Sequence, residues 1–162
     1  MSPPLEVQIR QADLAREDDA GAVVELIDAY ASEPGGRGEP LSEEARRRLP
    51  EGLAALPTAF VLLAFAEGQA VGVAVCVEGF STFAARPSLN LHDLAVRPGF
   101  RGRGVGRKLL EELAARARER GCCKVTLEVH DTNAGAKRLY ERVGFGPWDP
   151  PTLFVTLGLG DR

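Results

Sequence analysis

Residues 94–110 constrain the fold of this chain more than any other segment. An apolar, strand-like run ends at Pro98-Gly99, three glycines follow at alternate positions, and an amphipathic helical pattern begins at once. Glycine tolerates positive φ and lets the backbone come close to a ligand. The free N–H groups and the positive dipole end of a helix N-terminus attract anions. The segment therefore predicts a strand, a diphosphate-binding loop and a helix, in that order.

The spacing of the glycines distinguishes between known types of phosphate-binding loop. A Walker A loop requires a hydroxyl residue after Gly-Lys, whereas Arg107, Lys108 and Leu109 follow Gly106 here. The dinucleotide-binding pattern Gly-x-Gly-x-x-Gly fails because Arg107 occupies the position of its third glycine. The pattern that fits is Arg-x-x-Gly-x-Gly over residues 101–106, the segment that we call the glycine loop.

These residues resemble the GNAT superfamily of acyl-CoA N-acyltransferases, and a second block from Val129 to Phe145 strengthens the resemblance. The resemblance implies that backbone amides of the glycine loop bind the diphosphate of acetyl-CoA and that no metal is required. It also implies that Asn133 contacts the pantetheine arm and that Tyr140 protonates the departing thiolate. The implied cofactor-binding residues are Leu94, Ala95, Val96, Arg101, Gly102, Arg103, Gly104, Val105, Gly106, Arg107, Asn133 and Ala136.

Two neighbouring residues are candidates for the group that deprotonates the acceptor amine. His92 lies on the strand before the glycine loop, where the family often has an acidic residue, and an imidazole with a pKa of about 6.5 accepts a proton readily. Asp93 is the competing candidate, and a chain of water molecules is the third. Strand alternation places His92 and Asp93 on opposite faces, so only one should reach the cleft. The N–H of Val96 or a neighbour would stabilise the oxyanion.

Each candidate residue also has a structural interpretation. In its structural interpretation, Tyr140 is a core aromatic residue whose hydroxyl reaches water. Asn133 is a good helix cap, a role that does not conflict with cofactor binding. In its structural interpretation, His92 is an ordinary strand residue without a role in proton transfer. The sequence favours the functional role most for Tyr140, because the glycine loop and the second block occur together.

The hydrophobic pattern predicts a mixed α/β chain. Asp18 or Asp19 should cap the first helix, and Pro50 should end or bend the second. With the resemblance, the pattern predicts one domain over residues 1–162 with a GNAT fold, a mixed central sheet of about six to seven strands flanked by about four helices. Strands are expected over residues 5–11, 58–66, 70–77, 89–96 and 124–129, and over one or two segments after Phe145, of which Leu153–Leu157 is the clearest. Residues 80–87 are expected to form a loop. Helices are expected at about 18–32, from Ser42 onwards, at 104–120 and at 133–142.

Composition limits the partners and the compartment. The net charge of −3 argues against a broad nucleic-acid-binding surface. The three cysteines lack CxxC or Cys/His spacing, which predicts free thiols and no metal site. No apolar run approaches the roughly 20 residues of a membrane span, and the N-terminal residues do not resemble a secretory leader. A cytoplasmic protein without a membrane partner is therefore expected.

The predicted function is an N-acetyltransferase that transfers an acetyl group from acetyl-CoA directly to a primary amine in a ternary complex. The alternative is a non-catalytic acetyl-CoA-binding sensor, which needs the glycine loop but neither Tyr140 nor a base. The acceptor is expected to be a small-molecule or peptide amine. Residues 80–83 are weakly similar to the polyamine acetyltransferase branch. The Pro147–Pro151 segment and the strand expected after it are a candidate homodimer contact.

Overall fold

A five-stranded sheet forms the centre of the protein, in a computed structural model that describes residues 3–160. The strands lie side by side in chain order, each antiparallel to the next except for the last pair, which is parallel. The parallel pair is joined through a helix, as a parallel connection requires. The strands are β1 (Gln8–Gln11), β2 (Ala59–Ala66), β3 (Gln69–Ser81), β4 (Arg86–Val96) and β5 (Val125–Leu127); the helices are α1 (Glu17–Ser32), α2 (Glu43–Ala55), α3 (Val105–Glu119) and α4 (Ala134–Val143).

Helices cover both faces of the sheet and divide the core into two layers. Leu62 packs in one layer with Leu109 of α3, whereas the adjacent Leu63 packs in the other with Val23 of α1. Both leucines are completely buried. A strand covered on both faces is expected to be apolar throughout, which explains the continuous run of β2. The α/β fold class predicted from the sequence is confirmed.

A β-bulge in β4 shifts its register against β3. Leu91 pairs with Cys76, and Asp93 pairs with Val75, so His92 is an extra residue without an opposite partner. A bulge of this kind bends the strand and changes the direction in which the following side chains point.

The bulge changes which core layer the side chains at alternate positions of β4 enter. Before it, Leu91 belongs to the layer on the α3 side, whereas after it Ala95 belongs to the layer on the α1 side. Side chains two positions apart share a face. Asp93 therefore faces the same side as Ala95, towards α1.

The last two strands separate at the end of β4. They pair only over Leu89–Leu91 of β4, and in the described chain no strand lies beside β4 beyond that point on the β5 side. The N–H of Arg97 donates to the carbonyl of Val71 on β3 at 2.8 Å. Because N–H groups alternate in direction along an antiparallel strand, the N–H of Val96 points into the gap beside β5.

The strand count and the C-terminal prediction are wrong for the described chain, which has five strands. Residues 144–160 contain neither helix nor strand, so the strands expected after Phe145, including Leu153–Leu157, are absent there. An apolar run such as residues 153–157 forms a strand only when a sheet edge pairs with it, and the three residues of β5 offer a short edge. Large side chains in this segment are 76–85% exposed: Leu153, Phe154, Val155, Leu157 and Leu159.

Three local expectations are also corrected. Residues 80–87 are only half loop: the turn is confined to 82–85, and the rest belongs to β3 and β4, which extend into a long hairpin. Pro50 lies inside α2 and does not end it, so of its two expected effects only a bend is compatible with the helix. The first helix has Arg16 as its N-cap residue without a side-chain cap. None of the helices within residues 3–160 is long and apolar enough to cross a membrane.

Asp19 is buried in an ion pair instead of capping α1. Its two carboxylate oxygens accept from Arg10 at 2.6 and 2.8 Å, and one also accepts from the N–H of Asp13 at 2.8 Å. The hydrogen bonds from Arg10 lower the pKa of Asp19 from 3.8 to about 2 despite burial. This pair ties β1 to the start of α1.

We expect Asp19→Asn to lower the free energy of unfolding at pH 7 by about 2 kcal/mol. The cost is below that of a fully buried pair because the Arg10 side chain is 45% exposed. Since the folded-state pKa is below 3.8, the stabilisation is present above about pH 4 and is lost as the pH falls towards 2. Urea unfolding from pH 7 to pH 2.5 measures it, with Asp18→Asn, an exposed neighbour, as the control. Equal losses in both variants would contradict the prediction.

Candidate active site

The glycine loop and Arg107, the residue after it, leave six consecutive backbone N–H groups free. Gly102 and Gly104 have φ values of 71° and 88°, and Gly104 is the N-cap residue of α3. The first hydrogen bond of α3 runs from the N–H of Lys108 to the carbonyl of Gly104 at 3.1 Å, and within the described chain the N–H groups of residues 102–107 donate to no acceptor. Free amides at the positive end of a helix form a site for an anion.

Close packing places the glycine loop beside α4. A Cβ atom on Gly106 would lie 3.0 Å from Cδ2 of Leu139 on α4. A Cβ on Gly72 of β3 would likewise lie 3.0 Å from Cδ1 of Leu109 on α3. These two glycines let α3 approach the sheet and α4 at contact distance, so the loop and the residues of α4 face a common space.

That space is a cavity of about 1170 Å³, which we call the substrate cavity. It lies at the point where β4 and β5 separate, and its volume exceeds that of a typical small-ligand pocket. Four parts of the chain line it: the end of α1 and the following loop, the end of β4, the glycine loop with the start of α3, and α4 with the residues before it. The lining includes Tyr30, Glu33, Leu94, Ala95, Val96, Phe100, Arg101, Gly102, Gly104, Val105, Gly106, Arg107, His130, Asn133, Ala136, Arg138, Leu139, Tyr140 and Arg142.

Tyr140 is buried at the wall of the substrate cavity. It is 8% exposed, and its ring packs edge-on against Phe145 with the centroids 5.7 Å apart. Burial raises the pKa of its hydroxyl to about 12. Within residues 3–160 the Tyr140 hydroxyl makes no hydrogen bond. It is still accessible, because no side-chain oxygen or nitrogen in those residues is both fully buried and without a partner. The hydroxyl is thus protonated and available to a bound molecule.

Asn133 caps α4 and faces the loop that follows α1. Its side-chain oxygen accepts from the N–H of Ala136 at 3.1 Å. A Cβ atom on Gly35 would lie 3.8 Å from its side-chain nitrogen. The oxygen is used for capping while the amide nitrogen remains at the cavity, so the structural and cofactor-binding interpretations are compatible.

His92 and Asp93 both lie outside the lining of the substrate cavity. His92, the bulged residue, is exposed, and Asp93 is half-buried. Burial raises the pKa of Asp93, and the charge of His92 opposes that rise. The negative charge of Asp93 in turn contributes to raising the pKa of Tyr30, a cavity residue whose pKa is raised mainly by burial. Asp93 therefore lies behind the cavity wall, with its charge raising the pKa of the wall residue Tyr30.

A family model described as the acetyltransferase (GNAT) family matches residues 22–145. The chain belongs to the GNAT acetyltransferase family. This confirms the resemblance of the glycine loop and the second block, and it establishes the GNAT protein as an acyltransferase. In the described part of the chain, no three or more His, Cys, Asp or Glu side chains are grouped to hold a metal ion.

Curated relatives of the GNAT protein include enzymes with different acceptors in their names. It is 33% identical over 147 residues to thialysine N-epsilon-acetyltransferase of Bos taurus, covering 85% of this chain and 83% of that protein. It is 47% identical over 57 residues to streptothricin acetyltransferase of Streptomyces lavendulae, covering 35% and 30%. Ribosomal-protein-alanine N-acetyltransferase of Brucella melitensis biovar Abortus 2308 has the same fold, with a TM-score of 0.73 at 22% identity over 94% of this chain and 100% of that one.

Several cavity residues of the GNAT protein were not singled out individually from the sequence. Arg138 and Arg142 had a local signal, since they lie four residues apart, one turn of α4. Tyr30 and Glu33 fall in the stretch 30–40, which was expected only as a whole to contribute to the acceptor pocket. Their position beside the glycine loop depends on the tertiary packing of α1.

Arg103 and Arg107 differ in their relation to the cavity of the GNAT protein. Arg107 lines it and pairs with Glu111 at 2.8 Å. Arg103 lies outside the lining, 3.6 Å from Glu67, with its guanidinium over the ring of Phe100 at 5.4 Å. The other residues predicted to bind the cofactor all lie on the cavity wall.

Proposed function

We propose that this GNAT protein transfers the acetyl group of acetyl-CoA to a primary amine by direct attack in a ternary complex. One observation supports the proposal most: the free amides of the glycine loop and the Tyr140 hydroxyl line the same cavity. The first group suits a diphosphate and the second suits a leaving thiolate. The GNAT family uses this donor in general, and the residues present fit it.

The glycine loop and Arg107 would hold the diphosphate through the N–H groups of residues 102–107. Asn133 would contact the pantetheine arm with its free amide nitrogen. Arg138 and Arg142 on α4 add positive charge to the same cavity wall. This arrangement leaves the thioester between the end of β4 and Tyr140.

In the chemical step, the amine nitrogen forms a bond to the thioester carbonyl carbon while the carbon–sulfur bond breaks. The N–H of Val96 points into the gap between the strands and would stabilise the negative oxygen. Tyr140 would give its proton to the departing thiolate. Desolvation disfavours a charged thiolate, so a thiolate released into a site closed by both substrates would accept that proton more readily than in water.

We propose Asp93 as the group that takes the proton from the acceptor amine, directly or through water. The bulge at His92 directs Asp93 towards α1, where its charge reaches Tyr30 at the cavity wall. The raised pKa of Asp93 makes it a stronger base than an ordinary aspartate. His92 is exposed and has no comparable link to the cavity.

We expect Asp93→Asn to lower kcat/KM by about 100-fold, and His92→Ala to lower it much less. A base acts when deprotonated, so wild-type kcat/KM should rise with pH through the raised pKa of Asp93, and Asp93→Asn should lose that rise. Initial rates measured over a pH series provide both readouts. A larger loss in His92→Ala would assign the base to His92 instead.

A coenzyme A release assay tests the proposed function. The amine panel should contain thialysine, streptothricin and a peptide with an N-terminal alanine, which represent the acceptors named in the relatives. Lysine is added as a further primary amine. We expect release above background with at least one primary amine and none with its N-acetylated form. Binding of acetyl-CoA without release for any amine would support a binding module instead.

We also propose that the protein forms a homodimer through its C-terminal segment. Residues 153–159 contain five large apolar side chains that are 76–85% exposed, a density that favours burial against a second surface. Light scattering should report twice the chain mass of 17.4 kDa. Replacing Leu153, Val155 and Leu157 with Ser should give monomers; a monomeric wild type would contradict the proposal.

A further inference from the structure

Arg101 of the glycine loop is held between β4 and the end of α1. Its Nε donates to the carbonyl of Val96 at 2.8 Å, and one terminal nitrogen donates to Oε1 of Glu33 at 2.5 Å. The side chains of Arg101 and Glu33 remain 46% and 31% exposed, so their ion pair is open to competition. Both residues line the substrate cavity and a smaller adjoining cavity of about 280 Å³.

Glu33 depends on Arg101 for electrostatic compensation. It directly follows α1, whose last turn contains no basic residue. The C-terminal end of a helix carries partial negative charge, which disfavours a carboxylate there. Without Arg101, the Glu33 carboxylate would therefore attract another cation.

A second carboxylate makes this part of the cavity suitable for a cationic amine. Asp93 and Glu33 both act on the hydroxyl of Tyr30, raising its pKa in addition to the effect of burial. Tyr30 lines the substrate cavity together with Glu33. An alkylammonium ion entering beside Tyr30 would meet the negative charges of Asp93 and Glu33. In the free protein the charge of Glu33 is paired with Arg101 of the glycine loop.

We propose that Arg101 couples the two substrates by exchanging partners. In the free protein Arg101 pairs with Glu33; with donor bound, its guanidinium pairs with a donor phosphate, and the released Glu33 carboxylate binds the ammonium group of the acceptor. The exchange rests on the proposed function, because it requires a phosphate-bearing donor and a cationic acceptor. Since coupling between two binding sites is reciprocal, the acceptor should also strengthen donor binding.

Calorimetric titration with coenzyme A tests the donor half without any turnover. Glu33→Gln removes the competitor for Arg101 and should tighten coenzyme A binding about three- to fivefold, the size expected for a partly exposed ion pair. Glu25→Gln is the matched control, because Glu25 is on α1, which Glu33 directly follows, and pairs with Arg97 at 3.2 Å but does not line the substrate cavity. It should leave the affinity unchanged.

A double-mutant cycle separates exchange from simple repulsion. If Glu33 acts through Arg101, then Glu33→Gln should have no effect on coenzyme A affinity in an Arg101→Gln background. If Glu33 merely repels phosphate, the gain will be the same in both backgrounds, and that result would overturn the exchange. The absence of any gain in the single variant would overturn it as well.

Acceptor binding tests the second half of the exchange. Saturating coenzyme A should tighten binding of the best amine from the release assay about three- to fivefold in wild type and leave Glu33→Gln unaffected. Independent binding in wild type would overturn the coupling. Failure of the proposed function has a different signature: wild type would bind no coenzyme A or would acetylate no amine. Normal turnover with an additive mutant cycle would overturn the exchange alone.

Discussion

Replacing Tyr140 with Phe is expected to lower kcat by about 100-fold or more, the usual contribution of a general acid. The thiolate would then leave without a proton donor at the cavity wall. Acetyl-CoA affinity should stay within about twofold of wild type, because the hydroxyl makes no hydrogen bond in the described chain and the ring keeps its packing. Initial-rate assays of product formation give kcat, and equilibrium titration with acetyl-CoA in the absence of an amine gives the affinity.

The pH dependence of the wild type provides an independent check on Tyr140. Its pKa of about 12 keeps the hydroxyl protonated throughout the neutral range. Activity should therefore show no loss from ionisation of this tyrosine as the pH rises to about 10. An unchanged kcat in Tyr140→Phe would remove Tyr140 from the mechanism, whatever the pH profile.

Replacing Gly104 with Val is expected to weaken coenzyme A binding by about 100-fold or more. Gly104 has a φ of 88°, a region that a β-branched residue rarely adopts. Relaxing that strain rotates the amides of the glycine loop, and each lost hydrogen bond to a charged phosphate costs roughly 1.5–3 kcal/mol. Titration calorimetry measures the affinity directly.

The control for Gly104 lies at the other end of α3. Gly121 has a φ of 74° and, like Gly104, has open space where a Cβ would lie, but it is remote from the substrate cavity. Gly121→Val should cost comparable stability through backbone strain and leave coenzyme A affinity intact. If both variants bind coenzyme A like wild type, the glycine loop is not the donor site.

The glycine loop could be predicted because its geometry depends on residues close together in the chain. Alternating glycines, the end of a strand and the start of an amphipathic helix all occur within residues 94–110. Asn133 as the cap of α4 was predictable for the same reason, since the oxygen and the N–H that it accepts from are three residues apart. Local patterns determine local hydrogen bonds.

Features that depend on distant contacts could not be predicted. The ion pair of Glu33 with Arg101 joins residues 68 positions apart. Residues 153–157 are apolar apart from Thr156 and suit a strand, yet a strand also needs a partner edge, which the pattern does not supply. Asp19 looked like a helix cap because nothing in its neighbourhood shows that Arg10 would fold against it.

The extra residue at His92 has a consequence for how this protein can change. Because the bulge absorbs one residue, deleting His92 would restore the plain alternation of β4 and leave Asp93 on the α1 side, opposite Leu91. If the bulge were lost with His92 retained in the ladder, Asp93 would instead share the face of Leu91, away from Tyr30. The bulge, and not the number of residues in the strand, therefore controls which functional group the acceptor meets.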